Sequence, residues 1–252
     1  MQHRQSAQRL TELHVKGNPL VLYNAWDAGS AKTIAKAGAP AIATSSWAVA
    51  AAHGYADGES IPFLFSEQII ARIVGAVDVP VTVDVEGGYS EDPRECAANV
   101  ARLLDHGVAG INFEDRVVAG KGLYPIDAQC RRIKAIRAMA EARGIPLFIN
   151  ARTDVYFGTG IAAEQAAAEV RARAKAYADA GASGLFAPGL AELQAIGALC
   201  DEVALPVNVM VMPGLPSTGE LAHAGVARIS HGPSAFLKAM ECVEQAARGV
   251  LA

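Results

Sequence analysis

Apolar residues recur along this chain in eight short runs, at 20–23, 41–44, 81–85, 109–113, 146–151, 184–187, 207–211 and 227–230. The runs are nearly continuous rather than alternating, as expected of parallel strands buried on both faces. Between them lie segments with helical spacing, at 5–16, 30–37, 66–77, 92–106, 127–142, 161–180, 190–200, 218–223 and 234–248. Ser66, Asp92 (followed by Pro93) and Asp127 are the expected helix caps. Gly38, Gly107, Gly144, Gly181 and Gly225 each end a helix shortly before a strand. The repeat is a βα unit, and no linker divides the chain. The pattern predicts α/β architecture: one (β/α)₈ TIM-type barrel over residues 1–252, with a doubly wound sheet as the alternative.

Composition narrows the partners. The chain has 252 residues, 52% hydrophobic and 19% charged, with a net charge of −4, enough to bury a large core. It has no basic stripe with interleaved aromatics, which argues against nucleic acid. No apolar run reaches transmembrane length, so no membrane role is expected, and residues 1–5 lack the apolar core of a signal peptide. Cys96, Cys130, Cys200 and Cys242 form no CxxC pair and read as free thiols. A cytoplasmic location is the expectation.

In a barrel of this type, chemistry sits where strands end. Those ends carry Asn24, Trp26 and Asp27, then Ser45 and Ser46, then Asp84 and Glu86. Glu114 and Asp115, Arg152 and Asp154, Asn208, and Ser230 with His231 complete the ring. Asp84 and Glu86 share a face if both stay extended, and paired carboxylates there call for a cation or donors. A hard divalent metal is the sharp reading; a solvated loop mouth is the bland one. Glu114 is placed to join them, and Arg152 offers a planar fork to a substrate carboxylate or phosphonate. A structural salt-bridge network is the competing account of the same ring. No lysine lies at a strand end, which disfavours a Schiff-base aldolase. His231 is the one histidine with a catalytic address. Gly232-Pro233-Ser234 reads as a helix cap rather than an anion site.

Five stretches resemble the isocitrate lyase/phosphoenolpyruvate mutase superfamily: residues 24–30, 44–46, 84–89, 110–115 and 149–154. The resemblance implies a (β/α)₈ barrel that uses Mg²⁺, or alternatively Mn²⁺, on small 2-oxo or enolate-forming carboxylic acids. It implies Asp84 as the principal metal carboxylate, with Glu86, Asp57 and Glu114 around it, Glu86 standing where the family has aspartate. It also implies Ser45 and Ser46 at the substrate carboxylate and Arg152 at the developing enolate oxygen. Trp26 and Asn208 are further expected substrate contacts. The lyase loop Lys-Lys/Arg-Cys-Gly-His is missing: residues 116–125 read Arg-Val-Val-Ala-Gly-Lys-Gly-Leu-Tyr-Pro. Lys121 and Tyr124 are the expected gate or acid there. The expected function is C–C cleavage of an oxaloacetate- or methylisocitrate-like acid; alternatives are C–P chemistry on phosphonopyruvate-like substrates and a non-catalytic carboxylate-binding barrel. A homodimer or homotetramer is expected, with the last helix exchanged between subunits as an option.

Overall fold

The computed structural model describes residues 2–157 and 161–251. Strands β1 (Leu20–Leu22), β2 (Asn24–Ala25), β3 (Ile42–Thr44), β4 (Val81–Asp84), β5 (Gly110–Glu114), β6 (Phe148–Arg152), β7 (Gly184–Phe186), β8 (Val207–Met210) and β9 (Arg228–Ser230) are all parallel. Their order is β1-β9-β8-β7-β6-β5-β4-β3-β2. The two ends of this order are neighbours in the chain, separated only by Tyr23. β1 and β2 are therefore halves of one strand, pairing with the last strand on one side and with β3 on the other. That closes the barrel.

Helices α1 (Gln2–Glu12), α2 (Ala28–Lys36), α3 (Ser46–Ala52), α4 (Phe63–Val74), α5 (Pro93–Asp105), α6 (Ile126–Ala142), α7 (Ala163–Asp179), α8 (Leu193–Glu202), α9 (Thr218–His223) and α10 (Ser234–Leu251) complete the described elements. The α5 start is as expected, with the Asp92 side chain accepting from the Arg94 N–H and Pro93 in the first turn. Two expected caps are not caps. α4 starts after Pro62, which puts Ser66 inside the helix and buried; α6 starts after Pro125, which puts Asp127 in the first turn, paired with Arg131. In both cases proline sets the entry conformation a few residues earlier than the polar side chain would. The small-residue segment after β3 is a helix, α3, capped by Ser45.

One end of the barrel is plugged. Leu10 of α1 packs with Leu20, Leu22 and Phe148 in an apolar cluster. Gly110 makes room for it: a Cβ there would lie 2.6 Å from a Leu10 methyl. The site therefore has to open at the opposite end, where the strands terminate.

Candidate active site

The turn after β4 departs from the extended path that the Asp84–Glu86 spacing assumes. β4 stops at Asp84, and Glu86 takes a left-handed conformation with φ 50°. Glu59 (φ 54°) and Tyr89 (φ 59°) are the other non-glycine residues with positive φ among those described. These three strained residues are one device. The Glu59 N–H donates to Glu86 Oε2 at 2.8 Å, and Glu59 Oε1 accepts from the Tyr89 N–H at 2.7 Å. The 53–61 loop is thus laced to the β4 turn, and the lacing offsets the strain. Gly88 belongs to the same turn, with φ +80° and a Phe113 ring carbon 2.9 Å from where a Cβ would sit.

Asp84 accepts from the Ser46 hydroxyl at 2.8 Å through Oδ2, and its N–H donates to Thr44 Oγ1 at 3.0 Å. Its Oδ1 is buried and has no hydrogen-bond partner among the described residues. Glu86 is raised to about 8, chiefly by burial and then by the charge of Asp84. Asp57 is raised for the same two reasons, and burial raises Glu114 well above the usual carboxylate range. These are the properties of an acid cluster short of positive charge. Among the described residues, no three acidic, histidine or cysteine side chains converge closely enough to cage a metal unaided. The buried, unpartnered Asp84 Oδ1 is the oxygen of this cluster that could hold a divalent cation.

Arg152 faces the acids from β6. Its Nη1 pairs with Glu114 Oε2 at 2.9 Å. Its Nε and Nη2 bind Asp154 through both carboxylate oxygens, at 2.6 and 2.9 Å. Burial alone would depress the guanidinium, but Glu114 and Asp154 outweigh it and hold Arg152 firmly charged. Behind this pair, Asp115 accepts from the Asp154 N–H, from Arg173 and from the Tyr177 hydroxyl. Asp115 is thus a buried brace for the β6 exit.

The cleft has two lobes that share Ser46, Asp57 and Arg152. The polar lobe, about 210 Å³, also meets Glu86, Glu114 and the exposed Arg116. The second, about 130 Å³, reaches Ser45, Asp84 and Asn112 and a set of apolar side chains. So the structure brings together Asp57, Asp84, Glu86, Glu114, Arg152, Ser45 and Ser46.

Five expected residues fall elsewhere. Trp26 packs edge-on against Phe236 of α10, with ring centroids 5.3 Å apart, and lines an outer groove instead. Asn208 lies buried beneath the site, accepting from the Ser230 hydroxyl. Lys121 is exposed at its loop tip. Tyr124 is spent on packing: its ring stacks on the Arg132 guanidinium at 4.4 Å and its carbonyl accepts from Arg173. His231 meets the Tyr23 ring edge-on and lines neither lobe.

Several contributors escaped the sequence reading. Trp47, Phe186 and Met210 are apolar, and only polar strand ends were weighed; Glu59 sits mid-loop, where no periodicity marks it. Arg132 is fully buried on α6 and donates to the carbonyls of Gly87 and Ser90, fixing the acidic turn from behind. A mid-helix arginine carries no sequence signal for that task.

A family model described as phosphoenolpyruvate phosphomutase matches residues 10–251. The chain belongs to this family, within the isocitrate lyase/phosphoenolpyruvate mutase superfamily. It is 35% identical over 239 residues to an uncharacterized protein of Mycobacterium tuberculosis (strain ATCC 25618 / H37Rv), covering 95% of this chain and 87% of that one. To the 2-methylisocitrate lyase of Escherichia coli (strain K12) it is 32% identical over 231 residues, covering 88% and 76% respectively. Among solved structures, a candidate phosphonomutase from Burkholderia cenocepacia J2315 superposes with a TM-score of 0.94 at 44% identity, covering 98% of this chain and 99% of that one. No helix among the described residues is long and apolar enough to cross a membrane.

Proposed function

We propose that this member of the phosphoenolpyruvate phosphomutase family is a divalent-metal-dependent lyase. It cleaves a C–C bond of a small 2-oxo or 2-hydroxy carboxylic acid through an enolate. The observation that carries the reading is the unpartnered Asp84 Oδ1, buried in a cleft whose opposite wall is the charged Arg152. Similarity to 2-methylisocitrate lyase supports the bond type.

Asp84 would hold the metal directly, and Asp57, Glu86 and Glu114 would hold its waters. The bound ion supplies positive charge that offsets the negative charge developing on the substrate oxygen. The remaining work belongs to the chain. Ser46 fixes the Asp84 carboxylate, and the Glu59 lacing fixes the turn that carries Glu86. Arg152, clamped by Asp154, presents its charge to the enolate oxygen without having to reorganise. Burial and the charge of Asp84 push Glu86 up to about 8 while no cation is bound, and a metal at Asp84 would bring it back toward the carboxylate that holds a water.

The expected assembly is a homodimer or homotetramer. In support, α10 buries Phe236 but leaves Leu237, Met240 and Val243 at 51, 41 and 60% exposure. Light scattering in solution reads the assembly directly. Cleavage of a C–P bond is the second reading, supported by the 44% identity to the candidate phosphonomutase.

The test is turnover of oxaloacetate, methylisocitrate and phosphonopyruvate with Mg²⁺, with chelator, and with Asp84→Ala. Metal-dependent release of a 2-oxo acid or CO₂ that Asp84→Ala abolishes supports the lyase. Phosphate release moves the assignment to C–P chemistry. Tight binding without turnover of any of them would favour a binding protein instead.

A further inference from the structure

Arg228 is fully buried, and neither of its Nη nitrogens has a hydrogen-bond partner among the described residues. The other arginines of the interior are met by acceptors. Arg152 is held by Glu114 and Asp154, Arg173 by Asp115 and Glu169, and Arg132 by the carbonyls of Gly87 and Ser90. None of the ion pairs among the described residues includes Arg228.

Its place is directly under the cleft. Arg228 and Ser230 are two apart on β9 and face inward together, while Ile229 between them packs outward with Ile196 and Leu199 of α8. Ser230 lines the second lobe, and its hydroxyl accepts from Arg228 Nε at 3.1 Å. Asn208 lies beside Arg228 in register, and its Nδ2 also has no partner. Thr82 and Asn150, two residues before Asp84 and Arg152, each leave a buried side-chain oxygen unpartnered. Branched apolar side chains normally fill such a layer of a barrel; here the layer is polar.

Burial pushes the Arg228 guanidinium down to about 9, and the charge of Asp84 holds it up, so it remains a cation at neutral pH. A buried cation without a counter-ion costs stability, and an apolar side chain of similar volume removes that cost. No protein acid takes up this charge, so its field acts on the cleft above. There it attracts an anion and opposes a metal ion.

We propose that Arg228 is a positioning residue: a fixed charge beneath the Ser230 floor that strengthens the hold on a substrate carboxylate and weakens the hold on the divalent ion. The ion is then held firmly only with an anionic substrate beside it. This rests on the reading of the cleft as a divalent-metal and carboxylate site.

Calorimetry on the full chain tests it with two probes, Mn²⁺ alone and then oxalate at saturating Mn²⁺. In Arg228→Met the Mn²⁺ affinity should rise and the oxalate affinity fall, each by about 10-fold, the scale of one charge acting through the protein interior. Arg228→Gln keeps N–H donors without the charge and should do the same. The opposite signs separate this role from a damaged fold, which weakens both. Any other pattern, parental affinities in Arg228→Gln included, overturns the inference and leaves the metal–carboxylate reading standing. A parent that binds no Mn²⁺, or binds Mn²⁺ but no oxalate, overturns that reading and the inference with it.

Discussion

Asp154 grips Arg152 edge-on, with two hydrogen bonds of 2.6 and 2.9 Å between residues two apart in the chain. Asp154 is fully buried and its own N–H is anchored to Asp115. The guanidinium is therefore held before any substrate arrives. Asp154→Asn keeps the shape but turns one acceptor into a donor aimed at Arg152. Turnover should fall by about 10- to 100-fold, the scale of a misplaced catalytic group. Steady-state kinetics on the substrate found active is the check; unchanged kcat would mean the clamp is only structural.

Glu59 should matter although it lines neither lobe of the cleft. Glu59→Ala leaves the buried turn without the acceptor for the Tyr89 N–H. The expected cost is about 1–3 kcal/mol, as for a lost partner of a buried donor. Urea unfolding measures that. Mn²⁺ titration should show weaker binding in the same variant, because the Tyr89 end of the turn is no longer held although the Glu59 N–H still donates to Glu86.

Gly88→Ala combines a left-handed φ of +80° with a Cβ only 2.9 Å from a Phe113 ring carbon. Strain of this kind costs about 1–3 kcal/mol. For a chain of this size that is a drop in melting temperature of several degrees, at about 2–4 °C per kcal/mol. A thermal melt within one degree of the parent would show that the turn relaxes freely.

His14 predicts an acid limb in stability. It stacks on Phe148 at 3.9 Å between ring centroids, and its Nδ1 donates to the Leu10 carbonyl. Burial, followed by the nearby charge of Arg228, lowers it from 6.5 to about 3. The folded state thus resists a proton that the unfolded chain accepts. This contribution is complete above pH 6.5 and is lost as pH falls toward about 3. The limiting slope is about 1.4 kcal/mol per pH unit. Denaturant unfolding of the parent and of His14→Phe between pH 7 and 4 should diverge from parallel, with the variant flatter. Parallel curves would remove His14 as the cause.

The barrel was legible because its strands are apolar on both faces, so eight runs stand out against polar helix surfaces. Asp84, Glu114 and Arg152 were legible because polar groups at strand ends are conspicuous in such a chain. Helix starts were misread at Ser66 and Asp127, where Pro62 and Pro125 decide the backbone before a cap is needed. Trp26 was misplaced because its neighbours mark a strand end without saying on which side of the wall the indole lies. Phe236 on α10, some 200 residues later, draws it outward. Arg132 and Glu59 act through contacts distant in sequence, which local spacing does not encode.

The seam at Tyr23 has a consequence for how the molecule forms. Leu20, Val21 and Leu22 pair with Arg228, Ile229 and Ser230, so the first and last strands meet only when the intervening chain is in place. A sheet short of β9 has two open edges, each a row of unpaired amides able to recruit another strand. Closing a contact of such long range is slow compared with making local ones. The barrel's most exposed moment is therefore its last step, and a variant that weakens the β1–β9 seam should aggregate on refolding before its activity, once folded, shows any loss.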